Sequence, residues 1–232
     1  MNNYIELKNI SKYYFLNKKN VILDKINFKF KKGLIYSLVG PSGSGKSTLL
    51  NLLSLIDKPS SGEIFINNKS VKYDDISEND EIRADKIGII YQQNNLLPDF
   101  TALENVYLAR LTIENNKKKA FVEATKIIKK LGLFKRINHF PAELSGGESQ
   151  RVAISRALIN KPEIILADEP TGSLDLTTAK EVFKILYKLK NKNRLIIYAT
   201  HNRLFADMAD CKLEIIDGNI KPSNAKNKQQ FF

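Results

Sequence analysis

Cysteine and histidine are nearly absent from this chain. Its 232 residues include one cysteine, Cys211, and two histidines, His139 and His201. A single cysteine excludes a disulfide within the chain, and so few cysteine and histidine side chains exclude a metal site of the Cys/His type. The fold must rest on a hydrophobic core instead, which a chain of this length with 43% hydrophobic residues can bury.

Long apolar runs are also missing. The runs at residues 164–167 and 195–199 are far shorter than the roughly 20 residues that a helix needs to cross a bilayer. The first six residues lack the basic region and the apolar stretch of a signal peptide. We therefore expect a soluble globular protein that stays in the cytosol.

Positive charge, by contrast, is plentiful, with a net charge of +12 at pH 7. Lysine far outnumbers arginine and is spread along the chain, as at residues 31–32, 117–119 and 129–130, and no recognisable nucleic-acid-binding module accompanies it. We therefore expect no nucleic-acid partner. A weak attraction to an anionic membrane surface stays open, as does a contribution to solubility alone.

Apolar periodicity changes along the first two thirds of the chain. Ile26, Phe28 and Phe30 share one face at period two, which predicts a half-buried antiparallel strand. Residues 94–160 have a helical pattern, in which Gly132 is the expected C-cap of one helix. The apolar residues of that helix, at helical spacing, are Phe121, Ala124, Ile127, Ile128 and Leu131.

The last third alternates strand and helix patterns. Apolar runs at 164–167 and 195–199 are typical of buried strands, and residues 179–189 between them are helical in pattern. This alternation predicts a parallel sheet. We expect a single domain over residues 1–220 and a flexible tail over residues 221–232, which has too little apolar content to pack.

Residues 40–47 fit the pattern G-x-x-x-x-G-K-[ST] between an apolar run and a helical pattern. Glycines let the backbone turn its N–H groups inward, and the helix that follows adds the positive end of its dipole, so the loop can hold phosphates. Lys46 can then reach the β and γ phosphates, and Ser47 can bind Mg²⁺. The expected nucleotide contacts are Gly40, Pro41, Ser42, Gly43, Ser44, Gly45, Lys46, Ser47 and Thr48. The alternative is a glycine-rich turn without a ligand.

A second helix start has similar chemistry. Ser145, Gly146, Gly147 and Glu148 precede an amphipathic run, with Ser145 as the expected N-cap. Two glycines there leave backbone N–H groups open to an anion. The alternative is an ordinary cap with a glycine hinge. His139, in the loop before this segment, receives no role.

Two carboxylates follow the buried run at 164–167. Asp168 and Glu169 stand at the end of the predicted strand. Downstream of a phosphate-binding loop, this arrangement places Asp168 near Mg²⁺ and Glu169 near the γ phosphate. The alternative is two acids in an exposed turn.

Together these motifs resemble the nucleotide-binding domains of ABC transporters over nearly the whole chain. The resemblance implies an ABC ATPase fold: an α/β P-loop NTPase with a mixed or parallel core sheet, an N-terminal antiparallel β subdomain and a helical subdomain at about residues 94–160. By the same resemblance, Tyr14 stacks on adenine, with neighbouring Tyr13 as the alternative. Gln92 matches the residue that links Mg²⁺ to a membrane subunit, Asp175 the D-loop and His201 the residue that contacts the γ phosphate.

The family's mechanism needs two copies of the chain. Each ATP lies between the glycine-rich loop of one subunit and the segment at Ser145 of the other, so the resemblance implies an ATP-dependent dimer. Lys46 and Mg²⁺ neutralise the phosphates, Glu169 orients or deprotonates the attacking water, and His201 holds the γ phosphate.

Within the family, residues 96–106 and 166–172 resemble the group that contains the LolD lipoprotein-releasing ATPases, the MacB-type exporters and FtsE, and LolD is the best match among them. Ser149 and Ser173 depart from the residues common in that group. A LolD-like protein powers separate integral-membrane subunits of the LolC and LolE type from the cytoplasmic face of the inner membrane, where it is peripheral.

Other functions stay open at this stage. A MacB-like exporter ATPase and an FtsE-like regulatory ATPase fit the same motifs. A soluble ABC ATPase of translation or DNA maintenance fits less well, because this chain has one cassette and no sustained heptads between residues 40 and 145.

Overall fold

The computed structural model describes residues 3–15 and 19–223 of the chain. The strands are β1 (Asn3–Phe15), β2 (Lys19–Lys31), β3 (Ile35–Val39), β4 (Ser61–Ile66), β5 (Lys69–Ser70), β6 (Ile87–Ile90), β7 (Ile164–Asp168), β8 (Leu195–Ala199), β9 (Cys211–Ile216) and β10 (Asn219–Ser223). The helices are α1 (Lys46–Leu53), α2 (Ile76–Lys86), α3 (Ala102–Leu111), α4 (Lys117–Lys130), α5 (Gly146–Leu158), α6 (Leu176–Lys188) and α7 (Arg203–Ala206).

The strands of the described residues form two sheets. An antiparallel sheet has the order β2-β1-β4-β5, and the core sheet has the order β10-β9-β3-β8-β7-β6. The core sheet is parallel from β9 to β6 and has β10 antiparallel at its edge, so it is mixed, as expected. Parallel strands covered on both faces need apolar side chains at every position, and all of β8 and nearly all of β7 are buried.

A separate group of apolar side chains holds α3, α4 and α5 together. Its buried members include Val106, Ala124, Ile128 and Val152. These helices lie within residues 94–160, where helices were expected. Gly132 follows α4 at φ 75°, as a C-terminal glycine should.

Phe121 departs from the pattern that predicted α4. Its side chain is 51% exposed, because the buried face of the helix runs through Ala120, Ala124 and Ile128. Phe121 lies beside that face and packs edge-on against Tyr107, with the ring centres 6.2 Å apart. The spacing was right for a helix, but Phe121 is not part of the core.

The flexible tail was predicted to begin at residue 221, but the structure continues as a strand there. Residues 221–223 belong to β10, where Lys221 pairs with Glu214 and Ser223 with Lys212. Backbone pairing at a sheet edge satisfies main-chain groups without burying apolar side chains, and proline is tolerated there. The remainder of the predicted tail, 224–232, lies outside the described residues.

Within the described ranges, no helix combines the length and the apolar character required for a membrane span.

Candidate functional site

The glycine-rich loop follows β3, and its backbone takes conformations that residues with side chains could not adopt. Gly40 has φ 150°, and a Cβ there would lie 2.5 Å from the carbonyl oxygen of Ile215. Gly45 has φ 102°, and a Cβ there would lie 2.8 Å from Leu23 Cδ2. Both positions therefore require glycine, because β2 and β9 pack directly against the loop.

The helix that follows this loop begins without a side-chain cap. Gly45 is the N-cap residue of α1 in the left-handed conformation, and no side chain of the described residues caps the helix start. The hydroxyl of Ser44 is buried and has no hydrogen-bond partner among the described residues. Uncapped N–H groups at a helix start attract an anion, and an orphaned hydroxyl beside them fits a polar ligand.

Lys46 is buried beneath the loop, with 6% of its surface exposed. Its Nζ donates to the carbonyl oxygens of Gly40, at 3.0 Å, and Pro41, at 2.9 Å. Burial lowers the pKa of the ammonium group, and the carboxylates of Glu169 and Asp168 oppose that shift. The cation is thus held at the loop by carbonyls that a phosphate could replace as its partners.

The other predicted residues reach the loop because their strands are neighbours. Residue pairing in the core sheet places Leu38 of β3 beside Ala199 of β8, and Ala199 beside Asp168 of β7. Ile90 of β6 pairs with Ala167 of β7. Since these strands are parallel, the segments that follow them all emerge at the carboxyl edge of the sheet.

A cleft of about 370 Å³ opens at that edge. It is lined by Tyr14, Ile22, Ser42, Gly43, Gly45, Lys46, Ser47, Thr48, Gln92, Asp168, Glu169 and His201. The structure therefore brings together the loop, both acids, the glutamine and the histidine that sequence analysis singled out.

Glu169 is the most strained of these residues. Its φ of 45° is unusual for a residue with a side chain, and such backbone strain is often found at functional sites. Its Oε1 is buried with no hydrogen-bond partner among the described residues, since His201 Nε2 lies 3.4 Å away, beyond good hydrogen-bonding distance. Burial raises the pKa of this carboxyl, and the nearby His201 and Lys46 partly oppose the shift.

The cleft also holds a set of oxygen donors that suits Mg²⁺. Asp168, Ser47 and Gln92 line it together. No cluster of three His, Cys, Asp or Glu side chains capable of holding a metal occurs in the described part of the chain. Mg²⁺ is commonly bound by one or two carboxylates together with substrate phosphates and water, so this donor set fits it.

The structure separates the two candidate tyrosines. Tyr14 lines the cleft, and its hydroxyl donates to Asp57 Oδ2 at 3.1 Å. Lys12 Nζ donates to Asp57 Oδ1 at 2.7 Å and lies 4.9 Å from the centre of the Tyr14 ring. The Tyr13 ring packs edge-on against Phe15 instead. Neither Lys12 nor Asp57 was identified from the sequence, because nothing local marks them as partners of Tyr14.

The second predicted anion site lies away from this cleft. Ser145 is the N-cap of α5 as expected, and its side chain forms a capping box with Glu148. None of residues 145–148 lines the cleft. Asp175 is also absent from the lining and serves as the N-cap of α6, where it accepts from the N–H groups of Thr177 and Thr178. Within one copy of the chain, these segments do not join the phosphate-binding loop.

Gly147 is required for packing, a reason that the sequence did not reveal. It is buried, and a Cβ there would lie 2.4 Å from Thr178 Cγ2. By contrast, a Cβ at the exposed Gly146 would meet only the end of the Leu174 side chain, at 3.1 Å. Gly147 therefore sets how closely the start of α5 approaches α6.

We expect Gly147→Ala to lower the free energy of unfolding by about 1–3 kcal/mol, because the methyl group overpacks the contact with Thr178. Thr178→Ser removes the clashing methyl and keeps the hydroxyl, so the double variant should recover most of that loss. Urea unfolding of the single and double variants measures both effects. Gly146→Ala is the matched control and should cost less. Equal stability of Gly147→Ala and the unchanged chain would contradict the packing argument.

Proteins of known family resemble this chain over most of its length. The ABC transporter family profile matches residues 23–172. The lipoprotein-releasing system ATP-binding protein LolD of Rickettsia bellii is 46% identical over 224 residues, which cover 96% of this chain and 99% of that protein.

Solved structures agree with the sequence match. A dimeric post-hydrolysis structure of the ATP-binding cassette MJ0796, bound to ADP and Pi, has a TM-score of 0.88 at 38% identity and covers 96% of this chain and 99% of that one. The structure of cbiO1 from Clostridium perfringens, part of the ABC transporter complex cbiONQ, has a TM-score of 0.84 at 27% identity and covers 97% of this chain and 90% of that one.

Proposed function

This chain belongs to the ABC transporter family of ATP-hydrolysing cassettes, and from that premise we propose that it is the motor subunit of a system that releases lipoproteins from the inner membrane. The observation that carries the proposal is the 46% identity to a LolD protein over 99% of that protein's length. The cleft supports the motor role, because it gathers a phosphate-binding loop, two acids, a glutamine and a histidine.

In the proposed site, ATP lies with its phosphates on the loop at residues 40–48. Lys46 turns from the carbonyl groups of Gly40 and Pro41 to the β and γ phosphates. Ser47, Gln92 and Asp168 hold Mg²⁺, which neutralises charge on the phosphates when bound.

Glu169 and His201 act at the γ phosphate. Glu169 orients the attacking water and accepts its proton at the carboxylate, whose Oε1 has no other hydrogen-bond partner among the described residues. His201 holds the γ phosphate from the end of β8. Tyr14 supplies the adenine stack, because it lines the cleft and its ring is fixed by Asp57 and Lys12.

A second copy of the chain completes each site. The start of α5 lies outside the cleft of its own subunit, so Ser145, Gly146, Gly147 and Glu148 would contact the ATP of the partner copy. Asp175 would lie at the same interface. The dimeric state of MJ0796 supports this arrangement, because that structure is similar to this chain over 96% of its length.

The membrane partners would be separate subunits of the LolC and LolE type, with this chain peripheral on the cytoplasmic face of the inner membrane. Apolar side chains at Leu97 and Phe100 are exposed in the segment after Gln92, where they could meet such a partner. Closure of the ATP-bound dimer would then be transmitted to the membrane subunits, which handle the cargo.

Purification from the host's own membranes tests this proposal. A tagged copy extracted in mild detergent should retain membrane subunits that have large extracytoplasmic domains, together with bound lipoprotein, and an untagged culture provides the control. Adding ATP and Mg²⁺ to the purified complex should release the bound lipoprotein. An FtsX-like partner without cargo, or no membrane protein at all, would contradict lipoprotein release and favour a regulatory or soluble ATPase.

A further inference from the structure

Glu148 divides its two carboxylate oxygens between two partners at the start of α5. Its Oε2 accepts from the backbone N–H of Ser145 at 2.8 Å, and the Ser145 hydroxyl accepts from the Glu148 N–H in return. Its Oε1 accepts from Arg136 Nε at 2.8 Å. The capping box therefore uses one oxygen, and the arginine occupies the other.

The Arg136 guanidinium, together with the hydrogen bond from Ser145, lowers the pKa of Glu148 to about 2. The carboxylate is thus negatively charged at any physiological pH. The positive end of the α5 dipole attracts an anion, whereas an unpaired carboxylate at that end would repel the anion. Of the basic side chains in the described ranges, Arg136 is the one that forms an ion pair with Glu148.

Arg136 is held in place by the turn that carries it. The turn Phe134–Arg136 leads into a segment that accepts two backbone hydrogen bonds from the start of α3: Leu103 donates to Ile137, and Ala102 donates to His139. The Arg136 Nη1 atom also lies 3.3 Å from His139 Nε2. The backbone bonds hold the turn next to α3, and the His139 contact lies beside the guanidinium that pairs with Glu148.

We infer that Arg136 is a positioning residue that neutralises Glu148, so that the start of α5 can receive the γ phosphate of ATP held by a second copy of the chain. The inference rests on the proposed function, because it requires the ATP-dependent dimer. Arg136 itself need not touch the phosphate. The guanidinium of Arg151 also approaches the start of α5, 3.7 Å from where a Gly147 Cβ would lie, but it does not pair with Glu148.

The experiment measures ATP-dependent dimerisation in the hydrolysis-deficient Glu169→Gln chain. Arg136→Gln in this background should weaken the dimer about tenfold, because the unpaired Glu148 carboxylate repels the phosphates of ATP across the interface. The ATP affinity of the monomer should stay unchanged. Adding Glu148→Gln should restore the dimer, because glutamine keeps the capping box and removes the charge. Arg136→Lys should restore it in part, and high salt should narrow the gap between Arg136→Gln and its parent.

Lys135→Gln is the matched control. It removes a positive charge from the same turn, at an exposed residue that does not contact Glu148, and should dimerise like the parent. Dimer mass comes from light scattering after gel filtration with ATP, and ATP affinity of the monomer comes from calorimetry.

Three outcomes would overturn the inference. If Arg136→Gln dimerises as well as its parent, Arg136 has no such role. If the double variant stays as weak as Arg136→Gln, the arginine acts through local folding and not through charge. If the Glu169→Gln parent does not dimerise with ATP, the proposed function fails and this inference fails with it, so the two failures are distinguishable.

Discussion

Replacing Glu169 with glutamine should reduce ATP hydrolysis by about 100-fold or more, which is the usual contribution of a positioned general base. The amide has nearly the same shape as the carboxylate but cannot accept the proton of the attacking water. ATP affinity should not fall, because the substitution leaves the phosphate-binding loop and Lys46 unchanged and removes a negative charge beside them. With turnover blocked, the ATP-bound dimer should accumulate and be visible by gel filtration.

Glu181→Gln is the matched control for this variant, because Glu181 is an exposed glutamate on α6, away from the cleft. It should hydrolyse ATP at the unchanged rate and form no lasting dimer. Steady-state release of phosphate measures the rates, and calorimetry measures the affinities. Undiminished turnover in Glu169→Gln would remove Glu169 from its assigned role.

Replacing Lys46 with alanine should impair binding as well as hydrolysis. Loss of a charge-assisted hydrogen bond costs about 1.5–3 kcal/mol, which corresponds to roughly 10- to 100-fold in ATP affinity. Hydrolysis should fall by about 100-fold or more even at saturating ATP, because the cation stabilises charge that develops in the transition state. Calorimetry and phosphate release separate these two effects.

Thermal unfolding must accompany the Lys46→Ala measurement. Without the ammonium group, the carbonyls of Gly40 and Pro41 lose a buried donor, so a modest fall in stability is expected. Lys184→Ala, which removes an exposed lysine from α6, is the control and should change neither binding nor turnover. ATP affinity that survives Lys46→Ala in a folded chain would contradict the phosphate contact.

These two variants differ in a way that tests the division of roles. Glu169→Gln should separate binding from hydrolysis, whereas Lys46→Ala should reduce both. The same two residues also interact electrostatically, because the negative charge of Glu169 opposes the lowering of the Lys46 pKa by burial.

Secondary structure was predictable where one local pattern decides it. The runs at residues 164–167 and 195–199 predicted buried strands, because strands covered on both faces are apolar throughout. Phe121 and residues 221–223 were the exceptions. The exposure of Phe121 depends on which side of α4 packs against the other helices. The strand at residues 221–223 forms because β9 offers an edge to pair with. Neither outcome is decided by the local sequence.

The chemistry of the candidate site was predictable from short stretches of sequence. Each motif lies within one short segment of chain, so a local pattern reveals it. The motifs are glycine at residues 40 and 45, Lys46, and the acids after an apolar run. Tertiary structure decided which of these groups meet. The order β3-β8-β7-β6 places the acids, the histidine and the glutamine beside the loop, whereas the start of α5 lies outside the cleft.

Tertiary structure also supplied the supporting partners. Asp57 lies 43 residues from Tyr14, and Arg136 lies 12 residues from Glu148. Thr178, which makes glycine necessary at residue 147, belongs to a different helix. Such contacts depend on how elements pack, and packing is set by the whole core, so no local pattern in the sequence can record them.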